Sequence, residues 1–348
     1  EALSMKKVLH IVGSLNQTKQ LYKVSQQLPD FDHYFCQFFG SGAIVKWISE
    51  SGIVDNTILG TNSTFRQAQK EFLDSVGAKY DYRASTLGNM YDLVFMCSDI
   101  MVPREIDHVL KVWVQEGMTD PLSFTARMVK RLGLPYWLSG DTSLNGSSNR
   151  CDLYCVASEG YGRQIVTLGT DEEKIHVTGI PNFDNCAEFL NNDFPHQGYV
   201  LICTSDMREV NKKDDRRGFL QNCKRIAAGR PMIVKLHPNE IVERATREIR
   251  DELGPEVQIY TEGNTDHMIA NCVELITQYS TVVYIGMALG IPVHSYFDLE
   301  ELQSKLPIQN GGTSASEIAR LARQLITRRD TPPPIDPRSS LPNIGSYA

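Results

Sequence analysis

Pro181-Asn182-Phe183-Asp184-Asn185, then Asn191-Asn192-Asp193-Phe194-Pro195-His196-Gln197-Gly198, and directly after it Tyr199-Val200-Leu201-Ile202-Cys203-Thr204: this passage decides the fold. Proline without an amide donor and glycine with its extra chain entropy, set among polar residues at this density, break a helix or a central strand. The apolar run after them starts a strand again. On the N-terminal side of the break, strands are expected at 6–12, 33–39, 54–59, 92–97, 109–115, 135–139, 152–157 and 174–178, with helical periods such as Phe124 to Leu132 and Tyr161 to Leu168 between them. On its C-terminal side they are expected at 199–204, 231–236, 257–260, 273–277 and 291–297. Strand and helix in alternation build parallel sheets covered by helices, so the fold class is α/β, with two units. The expected division is a first domain at 5–185, a linker at 186–198, a second domain at 199–329 and a Pro-rich tail at 330–348. The second domain closes with a helix that Thr313-Ser314-Ala315-Ser316-Glu317 caps and Ile318, Leu321, Leu325 and Ile326 pattern.

The chain has 348 residues, more than one hydrophobic core usually serves, with the 41% hydrophobic and 22% charged residues of a globular protein. A net charge of −7 lacks the cationic surplus that a phosphate backbone requires, so nucleic acid is not an expected partner. No apolar run reaches the roughly 18 residues of a membrane span, and signal-peptide features are missing from the start, so a cytoplasmic protein is expected. Met5-Lys6-Lys7 reads as a natural start, which sets Glu1 to Ser4 aside. Eight cysteines lie scattered in apolar runs, the pattern of buried reduced thiols. Cys151 and Cys155 have no second Cys/His pair after them, so strand packing is expected there and no metal site.

Ligands of parallel α/β sheets bind beyond the C-terminal strand ends, and those ends supply the candidate residues. Lys235-Leu236-His237-Pro238 ends an apolar strand and puts a lysine and an imidazole near the crevice, with Pro238 suited to a first helical turn. Gln278-Tyr279-Ser280-Thr281 ends another, and Ser280 and Thr281 would cap a helix whose free amides suit a phosphate group. Thr204 and Ser205 follow the first strand of the second domain and are placed to bond a ligand. The cluster Lys212-Lys213-Asp214-Asp215-Arg216-Arg217 reads as a solvated loop. In the first domain, Glu116 stands just past a buried strand as a candidate general base, with Asp120 as its competitor. Gly13 and Ser14, after the first strand, would face the same cleft. The sequence contains no G-x-G-x-x-G, no P-loop motif and no G-x-S-x-G.

These residues carry a family resemblance. The stretch from Cys155-Val156-Ala157-Ser158-Glu159-Gly160 through Ile175-His176-Val177-Thr178-Gly179-Ile180-Pro181-Asn182-Phe183-Asp184 resembles the segment closing the N-terminal domain of sugar-nucleotide 2-epimerases and related transferases. Lys235-Leu236-His237-Pro238 resembles a turn of capsule Kdo transferases and CDP-glycerol glycerophosphotransferases. Ser280-Thr281-Val282 with Gly290-Ile291-Pro292-Val293 is similar to the phosphate-binding helix of the same superfamily, and the motifs fall in order across residues 5–328. The resemblance implies the GT-B fold, two Rossmann-like domains facing a central cleft. It implies a glycosyltransferase with a nucleotide-sugar donor and a glycan acceptor, acting in cell-surface polysaccharide synthesis without cofactor or metal. It also implies peripheral association with the inner face of the membrane or with an envelope-assembly complex. Glu116 or Asp120 would then deprotonate the acceptor, while Lys235, His237 and the Ser280-Thr281 helix start would stabilise the departing phosphate. Two departures bear on the donor. Ser280-Thr281 stands where epimerases have Ser-Gly-Gly, and Ile285 stands where several UDP-sugar transferases have a ribose-binding Glu, which favours a CMP- or CDP-linked donor over UDP. A sugar-nucleotide 2-epimerase and a non-catalytic nucleotide- or glycan-binding protein are the alternatives.

Overall fold

The computed structural model describes residues 5–52, 64–85, 90–119, 122–209 and 213–331. The first sheet contains β1 (Lys7–Val12), β2 (Asp32–Gln37), β3 (Lys79–Tyr80), β4 (Leu93–Met96), β5 (Leu110–Val114), β6 (Leu153–Val156) and β7 (Ile175–Val177). Their order is β3-β2-β1-β4-β5-β6-β7, all parallel. The second contains β8 (Tyr199–Cys203), β9 (Met232–Lys235), β10 (Gln258–Tyr260), β11 (Cys272–Thr277) and β12 (Val293–His294), in the order β10-β9-β8-β11-β12, again all parallel. Val8, Leu9, Ile11 and Val12, like Val200, Leu201 and Ile202, are fully buried, as strands covered on both faces require. Each sheet reverses its strand order once, between β1 and β4 and between β8 and β11, and a crevice opens at such a point.

In the first domain the helices are α1 (Leu15–Gln26), α2 (Ala43–Glu50), α3 (Thr64–Ser75), α4 (Phe124–Arg131) and α5 (Glu159–Leu168). The rest are α6 (Arg216–Ala227), α7 (Val242–Leu253), α8 (Thr265–Asn271), α9 (Val283–Ala288), α10 (Leu299–Lys305) and α11 (Ser314–Asp330). Ser14, Ser123 and Ser158 cap α1, α4 and α5 by accepting the amides of Gln17, Ala126 and Tyr161.

Several expectations change. Residues 135–139 form a 3-10 turn, Tyr136–Ser139, because Pro135 offers no amide and the left-handed Gly133 and Gly140 (φ 63° and 74°) bend the chain on either side. The strand expected at 291–297 shortens to β12, and β3 is too short to show an alternating pattern. The strand expected at 54–59 lies outside the described residues, as does the tail beyond Thr331. Within 186–198, Cys186–Leu190 is a 3-10 helix whose buried Cys186 donates its amide to Gln309 Oε1 (2.9 Å), so this part of the linker is packed.

The largest departure is α11, which the linear division places with the second domain. It lies on the first: Ile318, Leu321, Ala322 and Ile326 join the core around β1 and β5, and Arg323 pairs with Asp30 and Arg329 with Asp92. The return begins where Ser158 Oγ donates to Lys305 O (3.0 Å) and Ile308 N to Ala157 O (2.9 Å). A Cβ on Gly160 would stand 2.0 Å from Ser304 O, so only glycine admits this crossing. All eight cysteines are free and buried, and burial pushes the Cys151 and Cys155 thiols up to about 12. Among the described residues, no helix is long and apolar enough to cross a membrane.

Candidate functional site

At the end of β1 the chain turns through Gly13 and Ser14 into α1, and the end of β5 brings Glu116 to the same place. Ser14 Oγ donates to Glu116 Oε1 (2.7 Å), and Gln17 Nε2 donates to Glu116 Oε2 (2.7 Å). The Gly13 amide donates to Gln17 Oε1 (2.7 Å), which fixes the orientation of the Gln17 amide. One donor on each oxygen locks the plane of the carboxylate. Behind it, Gln20 Nε2 donates to Gln115 O (2.8 Å), while Gln115 bridges Gly117 O (2.9 Å) and the Ala157 amide (2.9 Å). Half-buried Glu116 is therefore carried on a braced loop.

Glu116 lines an open cleft of about 470 Å³ between the domains. Lys19 and Lys23 of α1 and Asn182 stand on the first wall, with Glu188, Asp266, Thr281 and Ile285 opposite. The walls approach closely: a Cβ on Gly117 would be 3.8 Å from Thr281 Cγ2. Burial pushes the Asp266 carboxyl above its usual range, and His267, Lys19 and Lys23 pull against that shift. Lys23 also donates to Pro181 O (3.0 Å) across the chain connecting the domains.

Other candidates meet at the C-terminal ends of β8, β9 and β11 and bond to one another. Thr204 Oγ1 donates to Glu240 and accepts the His237 amide (3.0 Å); Ser205 Oγ donates to Tyr279 O (3.5 Å). Both hydroxyls are buried and committed, so they do not reach out to a ligand as the sequence suggests. Glu240 pairs with Arg216, and Asp214 receives Arg216 Nε (3.4 Å) and Gln278 Nε2 (2.9 Å). Part of the expected solvated loop is thus a buried ion network: the Asp214 and Arg216 side chains are inside, whereas Lys213, Asp215 and Arg217 are exposed and Lys212 lies outside the described residues.

Lys235 is buried and donates to Leu236 O and Thr261 O (3.0 Å each), and burial lowers its pKa. Its ammonium is held by backbone carbonyls. His237 is half-exposed, and its Nδ1 accepts the Asn239 amide (3.2 Å), which leaves the ring proton on Nε2. Pro238 sits in an exposed turn ahead of α7, not in its first turn. Ser280 and Thr281 precede the six-residue α9, where Ser280 O and Thr281 O already accept the Val283 and Tyr284 amides (3.4 and 3.1 Å). The helix start offers fewer free amides than expected. Asp120 lies outside the described residues.

The cleft therefore unites Glu116 with Thr281; Ser14 and, through Gln17, Gly13 hold Glu116 from behind, and Lys235, His237 and Gln278 are not among the residues that line it. Lys19 and Asp266 line it, and Gln17 holds Glu116, without having been singled out. A signal for Gln17 existed: Gln17 and Gln20 occupy the buried face of α1 with Leu21 and Val24, where an ordinary amphipathic helix is apolar.

No family model and no curated protein matches the sequence. Solved structures do match in shape. A UDP-N-acetylglucosamine 2-epimerase from Listeria monocytogenes, itself assigned by inference, superposes with a TM-score of 0.61 at 12% identity, covering 95% of this chain and 99% of that one. MnaA of S. aureus in complex with UDP gives 0.56 at 12% identity, covering 94% and 89%. The wall teichoic acid polymerase TagF, as a variant soaked with CDPG, gives 0.51 at 11% identity, covering 94% and 90%. The fold is GT-B. At these identities the likeness concerns the fold alone, and within GT-B architecture the Glu116 cleft is the space between the two sheets' crevices.

Proposed function

We propose that this GT-B protein is a glycosyltransferase that moves a sugar, or a related polyol phosphate, from a nucleotide-activated donor to a carbohydrate acceptor in cell-surface polysaccharide synthesis. The observation that carries the reading is the Glu116 carboxylate, held in one plane by Ser14 and Gln17 and open to the interdomain cleft. There it accepts the proton of an acceptor hydroxyl as that oxygen attacks. Negative charge develops on the departing phosphate; the Thr281 hydroxyl and Lys19 line the cleft where it forms, and His237 carries a further donor, its Nε2–H, at the second-domain strand ends. Closure of the domains excludes water, which would otherwise hydrolyse the donor. The reaction is metal-independent in this reading, so EDTA leaves the rate unchanged. A CMP- or CDP-linked donor fits better than UDP, because apolar Ile285 stands in the cleft wall where a ribose-binding carboxylate would be needed.

One observation favours a second reading. Asp266 faces the Glu116 side of the cleft, and two carboxylates flanking a sugar suit a sugar-nucleotide 2-epimerase. Incubation with UDP-GlcNAc and no acceptor separates the two, since an epimerase alters the sugar and a transferase leaves it intact. Thermal shift with CMP, CDP and UDP then names the base. A nucleotide at 100 times its Kd stabilises the fold by about 2.7 kcal/mol, and no shift with any of them would leave neither reading standing.

A further inference from the structure

The short helix α9, with the residues that flank it, belongs to both domains at once. Val283, Tyr284 and Met287 form one face and pack in the core around β1 and β5. Val282, Ile285, Ala288 and Leu289 form the opposite face and pack in the core of the second domain. On that second side the fit is tight: a Cβ on Gly286 would stand 2.8 Å from Val293 Cγ2 and 3.0 Å from Leu275 Cδ2, so α9 moves with β11 and β12. On the first side it meets α5 through a buried hydroxyl pair. Tyr284 Oη and Tyr161 Oη lie 2.5 Å apart, one donating to the other, with the rings edge to face. Tyr161 is 3% exposed and Tyr284 1%.

The pair sits one helical turn from the cleft. Thr281 O accepts the Tyr284 amide (3.1 Å), and Thr281 is the residue whose Cγ2 would stand 3.8 Å from a Cβ on Gly117, beside Glu116. A shift of Tyr284 is thus handed directly to the second wall of the cleft. With the walls apart, each hydroxyl can bond water; with the walls together, each has the other, and a lone buried hydroxyl would resist the approach. We propose that Tyr161 and Tyr284 are positioning residues: their hydroxyl bond is the pivot through which α9 holds Thr281 against the Glu116 loop, and it sets how closely the two walls approach. Its part in the reaction rests on the Glu116 cleft being the reaction site, whereas the approach of the walls does not.

A full chain carrying Gly117→Cys with Thr281→Cys measures that approach without any substrate. Gly117 is free of left-handed φ and a Cβ there meets only ordinary contacts; the natural chain, whose eight cysteines are all free and buried, is the blank. In this background Tyr161→Phe and Tyr284→Phe each strand the other hydroxyl, and the rate of disulfide formation in oxidised glutathione should fall roughly tenfold. The two are independent routes to the same stranded hydroxyl, so one folded variant suffices. Tyr161→Phe together with Tyr284→Phe strands nothing and should restore the rate, the non-additivity of a pair in contact. Tyr91→Phe, which breaks a buried bond to Asp81 Oδ2 (2.6 Å) at the β3 edge of the first sheet, should lower the melting temperature and leave cross-linking unchanged. Without the new cysteines, the single Phe variants should lower kcat for donor turnover more than they raise KM, and the double variant should recover it. Single variants that cross-link as fast as their parent overturn the proposal, and so does a double variant as slow as the singles. The expected cross-linking pattern in a chain that turns over no nucleotide-activated donor upholds the pivot and overturns the glycosyltransferase reading instead.

Discussion

On the first-domain wall of the cleft, hydrogen bonds run from the Gly13 amide through Gln17 to Glu116 and end on a carboxylate that faces open space. On the second-domain rim, Thr204, Glu240, Arg216, Asp214 and Gln278 bond to one another and end inside the protein. Both occupy strand ends at a topological switch point, and both are rich in polar residues. The difference lies in where the last acceptor points. A network that terminates at the cleft has capacity left for a substrate; one that closes on itself holds loops in place, and its removal leaves charges buried without partners.

The sharpest way to break this contrast is Glu116→Gln, which keeps the shape and removes the base. Donor-dependent turnover should fall ~10²–10⁴-fold with the melting temperature unchanged. A variant of normal rate would remove Glu116 from the chemistry, and one that unfolds would place it with the rim network. Arg216→Ala is the counterpart. It strands Glu240 and Asp214 in a buried site and should lower stability by about 3–5 kcal/mol in urea unfolding. Retained stability would mean that the rim network does not hold the loops.

A smaller effect comes from the middle of the first sheet, away from both walls. His33 Nε2 donates to Leu28 O (2.8 Å), so its Nδ1 accepts from His10 Nε2 (3.0 Å), and His10 Nδ1 remains bare between the Phe35 and Phe95 rings. Both imidazoles are neutral in this arrangement, and burial holds the His10 pKa well below its usual value, helped by His33. The unfolded chain takes up a proton near pH 6.5 that folded His10 does not. Stability is therefore complete above that pH and declines as pH falls toward the folded pKa, by up to about 1.4 kcal/mol per pH unit. Unfolding midpoints at pH 7.5 and 5.5 should differ accordingly in the natural chain and differ less in His10→Phe. An equal pH response in the two would show that His10 titrates alike in both states.

The sequence by itself determined the α/β class, the two units and most strands, because periodicity is a local property and strands buried on both faces are written as continuous apolar runs. It also marked Glu116 and Ser14, since the ends of such strands are visible in one dimension. What only the tertiary structure decided is which polar residues have capacity left. Thr204, Lys235 and Glu116 look alike as polar residues at strand ends, but Thr204 is bonded by Glu240, and Lys235 by its neighbour's carbonyl and by Thr261 O, with Glu240 and Thr261 brought in from elsewhere in the chain. The return of α11 to the first domain belongs to the same kind. Its apolar stripe announces that the helix must be covered, and only the packed molecule says that α1 and β5 cover it, because hydrophobic burial has no direction and no memory of sequence distance.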